Sequence, residues 1–237
     1  MVKSIWQNFE NYRHAGTVIA LAVIALWFLT LSLLLTSFTV SFTNPLTYVF
    51  MALMSHLYTG LFITAHDSMH GVVAKNKQLN TWLGRIAATL FAYNNYSKLF
   101  PKHHQHHRFA GTAKDPDYHH GSFFPWYVKF AREYVSIWQI LLMSGTYELL
   151  KLFFAQPNVL LFYIIPSILS TFQLFYFGTY LPHKGEHDNK HRSRSQKKNH
   201  IAAFLSCYFF GYHYEHHHSP GTPWWKLYRV KERLETS

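Results

Sequence analysis

The sequence predicts an all-α integral membrane protein, with four transmembrane helices and a helical cap on their cytoplasmic side. Three observations carry this expectation. Residues 14–66 and 152–183 contain no Asp, Glu, Lys or Arg, and a bilayer core takes about 20 apolar residues per helix. Charged residues make up only 14% of the chain, against about 25% in soluble domains. Of the 22 Lys and Arg, only Lys151 lies outside the N-terminus, residues 71–135 and the tail after residue 183. The polar parts therefore share one side, which the positive-inside rule makes cytoplasmic. The whole chain, 1–237, is read as a single membrane domain.

Residues 1–15 mix Trp6, Phe9 and Tyr12 with Lys3, Arg13 and His14, the composition of an interfacial lead-in. The apolar run that follows is too long for a signal peptide and no small-residue cleavage site follows it, so it is read as a true span. Thr43-Asn44-Pro45 divides it into spans over 16–42 and 46–65. The basic region that follows contains one apolar run, Ile86–Tyr93, too short to cross. Phe123, Phe124, Trp126 and Tyr127 beside Lys129 and Arg132 form an aromatic belt re-entering the bilayer. A third span, 134–155, carries Glu148 and Lys151 at i and i+3, where they can pair. After Gln156-Pro157-Asn158 comes a fourth span, 159–182, kinked at Pro166. The cap is then 66–133 and 183–237, and its last residues, Lys226–Leu234, are basic and amphipathic, suited to anionic membrane lipid. This topology places both termini on the cytoplasmic face of an inner membrane. The net charge of +11 serves orientation and lipid contact; no groove-reading or stacking module for nucleic acid is found.

Eighteen histidines are concentrated in three clusters: His66 and His70; His103, His106 and His107; His213, His216 and His217. On a helix, positions i, i+3 and i+4 share one side, so each cluster aims its rings at one point. Neutral imidazole suits iron, copper, zinc or nickel. Eight rings are too many for one ion and fit two. The single cysteine, Cys207, excludes an intramolecular disulfide and a cysteine-ligated metal. His104 and His218 point off their ligand faces, and His14, His187 and His200 are solvated. His119 and His120 suit an outer position. His56, mid-span, is a packing or tunnel-lining residue. Two dications held by neutral rings call for acidic neighbours. Asp67, Asp117 and Glu215 are the expected acceptors of imidazole N–H groups, with turn capping as the alternative role for Asp115 and Asp117.

The His-x3-His, His-x2-His-His and His-x2-His-His set within membrane spans resembles the membrane fatty-acid desaturase and hydroxylase superfamily. Further stretches narrow the resemblance to bacterial β-carotene ketolases. The resembling stretches are His66-Asp67-Ser68-Met69-His70-Gly71, Lys102–Arg108 with Asp115-Pro116-Asp117, Phe175–His183, and Phe210–His217 with Pro223-Trp224-Trp225; the run Phe177–His183 and the Pro-Trp-Trp ending are what narrow it. The resemblance implies two iron ions, O2 as co-substrate, external electrons and a carotenoid substrate oxidised to a ketone at ring C4. Two hydroxylations at one carbon, then loss of water, would form that ketone. It also implies a ninth ligand between the second and third clusters, His183 or His191. Thr179 stands where desaturases place an asparagine, and Ser68 where the first motif has alanine. Phe175, Tyr176 and Phe177 are candidates to line a substrate tunnel. With no nucleotide motif, heme motif or redox Cys pair, electrons come from a partner, and the basic face favours an acidic donor such as ferredoxin. A carotenoid hydroxylase or fatty-acyl desaturase would share the same ligands. A metal transporter or sensor would carry a pathway of polar or ionisable residues along its spans, where the only charged or imidazole side chains of this chain are His56 and the Glu148–Lys151 pair.

Overall fold

The computed structural model describes residues 14–236, so most of the expected interfacial lead-in lies outside the described residues. Three helices are long and apolar enough to cross a membrane: α1 (Ala15–Thr36), α2 (Pro45–Met69) and the 28-residue helix running Gln156–His183. Asn44 starts α2: its side chain accepts from the Leu46 N–H at 3.0 Å, and Pro45 occupies the first turn, where a missing N–H costs nothing. Trp27 of α1 meets Tyr58 of α2 edge-on, ring centres 5.3 Å apart. Both belong to a buried core with Met54, Leu61 and Phe162. Opposite faces of α1 leave Leu21, Phe28, Leu29 and Leu33 exposed, as a lipid-facing helix requires. Polar side chains join the spans: Thr59 lies 2.7 Å from Ser170 Oγ and 2.6 Å from Gln173 Oε1. Such interhelical bonds replace the hydrophobic drive that lipid cannot supply.

Between α2 and the last span come α3 (Lys77–Leu90), α4 (Tyr96–Phe109), α5 (Phe123–Tyr134) and α6 (Ile137–Lys151). The Gln156–His183 helix is α7; α8 (His200–Cys207), α9 (His213–His218), a 3-10 turn at Trp224–Lys226 and α10 (Leu227–Thr236) complete the chain. No strand occurs among the described residues. Asparagines cap α3, α4 and α8, Asn76, Asn95 and Asn199 each accepting a backbone N–H of the first turn. The cap packs at one end of the bundle. There Asn80 donates to the Ser68 carbonyl at 2.7 Å, and Gly16 sits so close to the Val72 and Val73 carbonyls that a Cβ would not fit. At the other end Asn158 donates to the Leu34 and Phe38 carbonyls.

The expected third span over 134–155 is shorter than a bilayer-crossing helix. Val135 and Ser136 are extended, and Ser136 forms a capping box with Gln139, so helix restarts only at Ile137. Its 15 residues rise about 22 Å, against a hydrocarbon core of about 30 Å. Glu148 and Lys151 do pair, at 2.8 Å. In α7, π-helical turns at Leu160–Ile164 and Phe175–Tyr180 come just before Pro166 and Pro182. Proline lacks the N–H an α-helix needs and crowds the carbonyl four residues back; a widened turn relieves both.

Candidate metal centre

Three elements deliver the clusters to one place. α2 carries His66 in its last turn and leaves His70 as its C-cap. α4 holds His103, His106 and His107 on one face, while His104 turns outward and stacks on Phe100 with ring centres 4.4 Å apart. α9 brings His213, His216 and His217, with His218 exposed. Its approach is set by Tyr208 and Phe209, whose φ of 49° and 62° make a left-handed turn out of α8.

The rings sort into two groups whose facing nitrogens lie within 4.8 Å of one another: His66, His70, His103, His107 and His216; and His106, His183, His213 and His217. Of the two residues open for the ninth position, His183 is in the second group, its Nε2 2.9 Å from His213 Nε2. His191 lies outside both, its ring centre 5.9 Å from that of His217.

Hydrogen bonding among the rings cannot account for the second group. His106 Nδ1 faces Asp115 Oδ1 at 2.9 Å and His183 Nδ1 faces the Arg192 carbonyl at 2.9 Å. Both acceptors require an N–H, so in a neutral ring each Nε2 is a bare lone pair. His213 Nε2 is 2.9, 3.0 and 3.3 Å from Nε2 of His183, His217 and His106, and one proton cannot satisfy three neighbours. Bonds of about 2.0–2.1 Å to one ion would give nitrogen separations of roughly 2.9–3.4 Å. In the first group His70 and His103 Nε2 are 2.6 Å apart, and His107 and His216 Nε2 3.0 Å. His66 Nε2 is buried there without a hydrogen-bond partner. The donor set fits two cations.

Electrostatics favour neutral ligands. Burial, then neighbouring His104, pushes His70 down to about 4; burial and the surrounding rings take His107 to about 2. Burial likewise lowers His103, His213, His216 and His217. His106 is the exception. Burial would lower it, but Asp117 and Asp115 outweigh that and raise it. Burial raises the Asp117 carboxyl, whereas Asp115 is held low, against its burial, by His106 and by N–H groups of Asp117 and Gly111.

The acidic neighbours divide. Asp67 Oδ1 faces His66 Nδ1 at 3.2 Å and Oδ2 accepts the Trp224 N–H at 2.9 Å. Asp117 Oδ2 is 3.7 Å from His106 Nδ1, and its Oδ1 accepts from the Tyr134 hydroxyl. Glu215 instead pairs with Lys231, at 3.2 Å. Asp115, which sequence reasoning treats only as a turn cap, both caps the turn and holds His106. No sequence signal separated it from Asp117, two residues away.

A cavity of about 470 Å³ opens beside both groups, with His66, His103, His106 and His213 in its wall. Phe62, Phe91, Phe130, Ile164 and Phe210 supply apolar lining. Gly178 and Thr179 face it, whereas Phe175 packs against Trp126 and Phe130 and does not line it. Tyr176 and Phe177 are absent from the lining as well. His56 stacks on Tyr208, ring centres 4.3 Å apart, as a packing residue.

The sequence profile of the fatty acid desaturase family matches residues 42–159 and 134–236. The chain belongs to that family. Among its curated relatives in sequence is a beta-carotene ketolase of Haematococcus lacustris, 42% identical over 187 residues, 73% of this chain and 58% of the relative. A zeaxanthin 4-ketolase of Chlamydomonas reinhardtii is 40% identical over 233 residues, 92% of this chain and 52% of the relative. A beta-carotene ketolase of a Paracoccus species is 36% identical over 226 residues, 92% of this chain and 89% of the relative. This member of the family thus spans only about half the length of the algal relatives. No solved structure matches it.

Proposed function

We propose that the chain is an O2-dependent di-iron oxygenase that introduces a keto group at ring C4 of β-carotene-type carotenoids, towards echinenone and canthaxanthin. One observation carries the reading: an apolar cavity whose wall includes histidines of both metal-binding groups. The names of the relatives, beta-carotene ketolase and zeaxanthin 4-ketolase, supply the substrate class.

In this reading His66, His70, His103, His107 and His216 hold one iron, and His106, His183, His213 and His217 the other. When bound, the two ions supply the reductive activation of O2 needed to oxidise an allylic C–H bond. The protein's contribution is placement and exclusion of water. Phe62, Phe91 and Phe210 pack against the ring of the substrate and keep the oxidised carbon next to the histidines. Asp67 and Asp115 fix the tautomer and ring plane of His66 and His106, leaving Nε2 free for metal. A second oxidation of the same carbon gives a gem-diol, which loses water to the ketone.

The reading includes a single membrane domain with four crossings, the histidines and both termini on the cytoplasmic side of an inner membrane. Two contacts support a crossing by the third expected span, 134–155, despite the shortness of α6. Tyr134, just before it, bonds Asp117 beside the histidines, while Asn158, just after it, bonds Leu34 and Phe38 at the opposite end of α1. In this reading α6, with the extended Val135 and Ser136 before it and the turn at 152–154 after it, covers that depth.

Expression in cells that accumulate β-carotene tests the proposal. Echinenone and canthaxanthin are expected. Hydroxylated carotenoids without ketone would reassign the chain to hydroxylation.

A further inference from the structure

The two metal-binding groups differ in access. All four rings of the His106 group are buried, whereas His70, His103 and His107 of the other group are half-buried. Outside His70 lies a cleft of about 670 Å³, lined among others by Lys75, Lys77, Arg85, Ser97 and Phe100. It lies on a different side of the histidines from the apolar cavity, sharing only Met69 with it.

The cleft belongs to a one-signed stretch of chain. Between Asp67 and Asp115 there are seven Lys and Arg and no Asp or Glu. Lys102 is paired with Glu133 at 2.7 Å, but Lys75, Lys77, Arg85 and Lys98 are exposed and have no acidic partner among the described residues. The other basic region, after residue 183, is partly neutralised: Lys198 pairs with Glu235, and Lys231 with Glu215 and Glu235. Beside the cleft, exposed His104 stacks on Phe100, and its ring centre is 6.0 Å from that of His70. Aromatic side chains thus run unbroken from the basic surface to the five-histidine group.

We infer that this cleft is the docking surface for an acidic one-electron carrier protein, and that electrons enter the centre through His70 and the His104–Phe100 pair. The inference rests on the oxygenase reading, which sets the electron requirement. Converting a ring CH2 to a ketone consumes two O2, four electrons and four protons and releases three waters. The carrier is oxidised by one electron per encounter, so four encounters serve each ketone. A one-signed patch suits this traffic because complementary charge speeds encounter.

The test uses the full chain in nanodiscs of neutral phosphatidylcholine, with reduced plant-type ferredoxin as the probe. A triple variant, Lys75→Glu with Lys77→Glu and Lys98→Glu, is compared with a control, Lys190→Glu with Lys197→Glu. The triple variant should raise the KM for ferredoxin at least tenfold and flatten its salt dependence, with the control under twofold. Product formation driven by dithionite and a small neutral mediator should be unchanged in both. An unchanged KM in the triple variant, an equal rise in the control, or an equal loss with the mediator would each overturn the assignment. So would an effect seen only when anionic phosphatidylglycerol is added, which would make the cleft a lipid-headgroup site. Failure of the wild type to oxidise carotene even with the mediator would instead fault the oxygenase reading. Calorimetric binding of ferredoxin to wild type and triple variant would still decide the docking surface.

Discussion

His106 Nδ1 lies 2.9 Å from Asp115 Oδ1, and the contact decides which nitrogen of that ring is available to a metal. Asp115→Asn keeps the shape but can present an N–H where His106 needs an acceptor. Loss of such an outer partner typically costs 10–100-fold in metal affinity or activity. Ketone formation should fall by that order, with iron content dropping from about two towards about one per chain. Elemental analysis alongside product quantification checks both.

His183 and His191 should behave oppositely. His183→Ala removes one of four converging rings and should abolish turnover. His191→Ala, outside both groups, should retain at least half of wild-type activity. Parallel carotene feeding of the two variants reads this directly.

Gly178 controls the cavity wall. A Cβ there would lie 2.4 Å from two carbons of the Phe210 ring, and Phe210 packs 4.8 Å from His66 and 5.6 Å from His213, centre to centre. Gly178→Ala should displace that ring and cost activity several-fold while iron stays bound. Substrate-saturation kinetics with metal analysis separates this outcome from loss of the site.

The Lys231–Glu215 pair predicts a stability effect with a definite sign. Both side chains are largely buried, so Lys231→Met strands a carboxylate under α9, a loss of about 3–5 kcal/mol. Adding Glu215→Gln should recover part of it. Chemical unfolding of the single and double variants in detergent measures the difference.

Much of the centre was legible because helical periodicity is local: His103, His106 and His107 must share a face wherever α4 goes. The same reasoning set His104 and His218 apart from the ligands. What pairs with each ring was not local. Glu215 reads as an acceptor for its histidine neighbours until α10 folds back and presents Lys231. Asp115 and Asp117 are indistinguishable until the turn aims the first at His106. The spans show the same division. Charge-free stretches located α1, α2 and α7, but Ser136 and Gln139 restart the helix at Ile137 through side-chain bonds that hydropathy does not register. The lining of the cavity by Gly178 and Thr179, rather than by the three aromatics before them, depends on how the π turn rotates α7.

In the proposed centre, nine imidazoles from distant parts of the chain hold two iron ions. Metal analysis of protein purified and loaded anaerobically with Fe2+ counts those ions. About two irons per chain in wild type, and about one in His183→Ala, is the predicted result. Zinc in place of iron, or a stoichiometry that His183→Ala leaves unchanged, would contradict it.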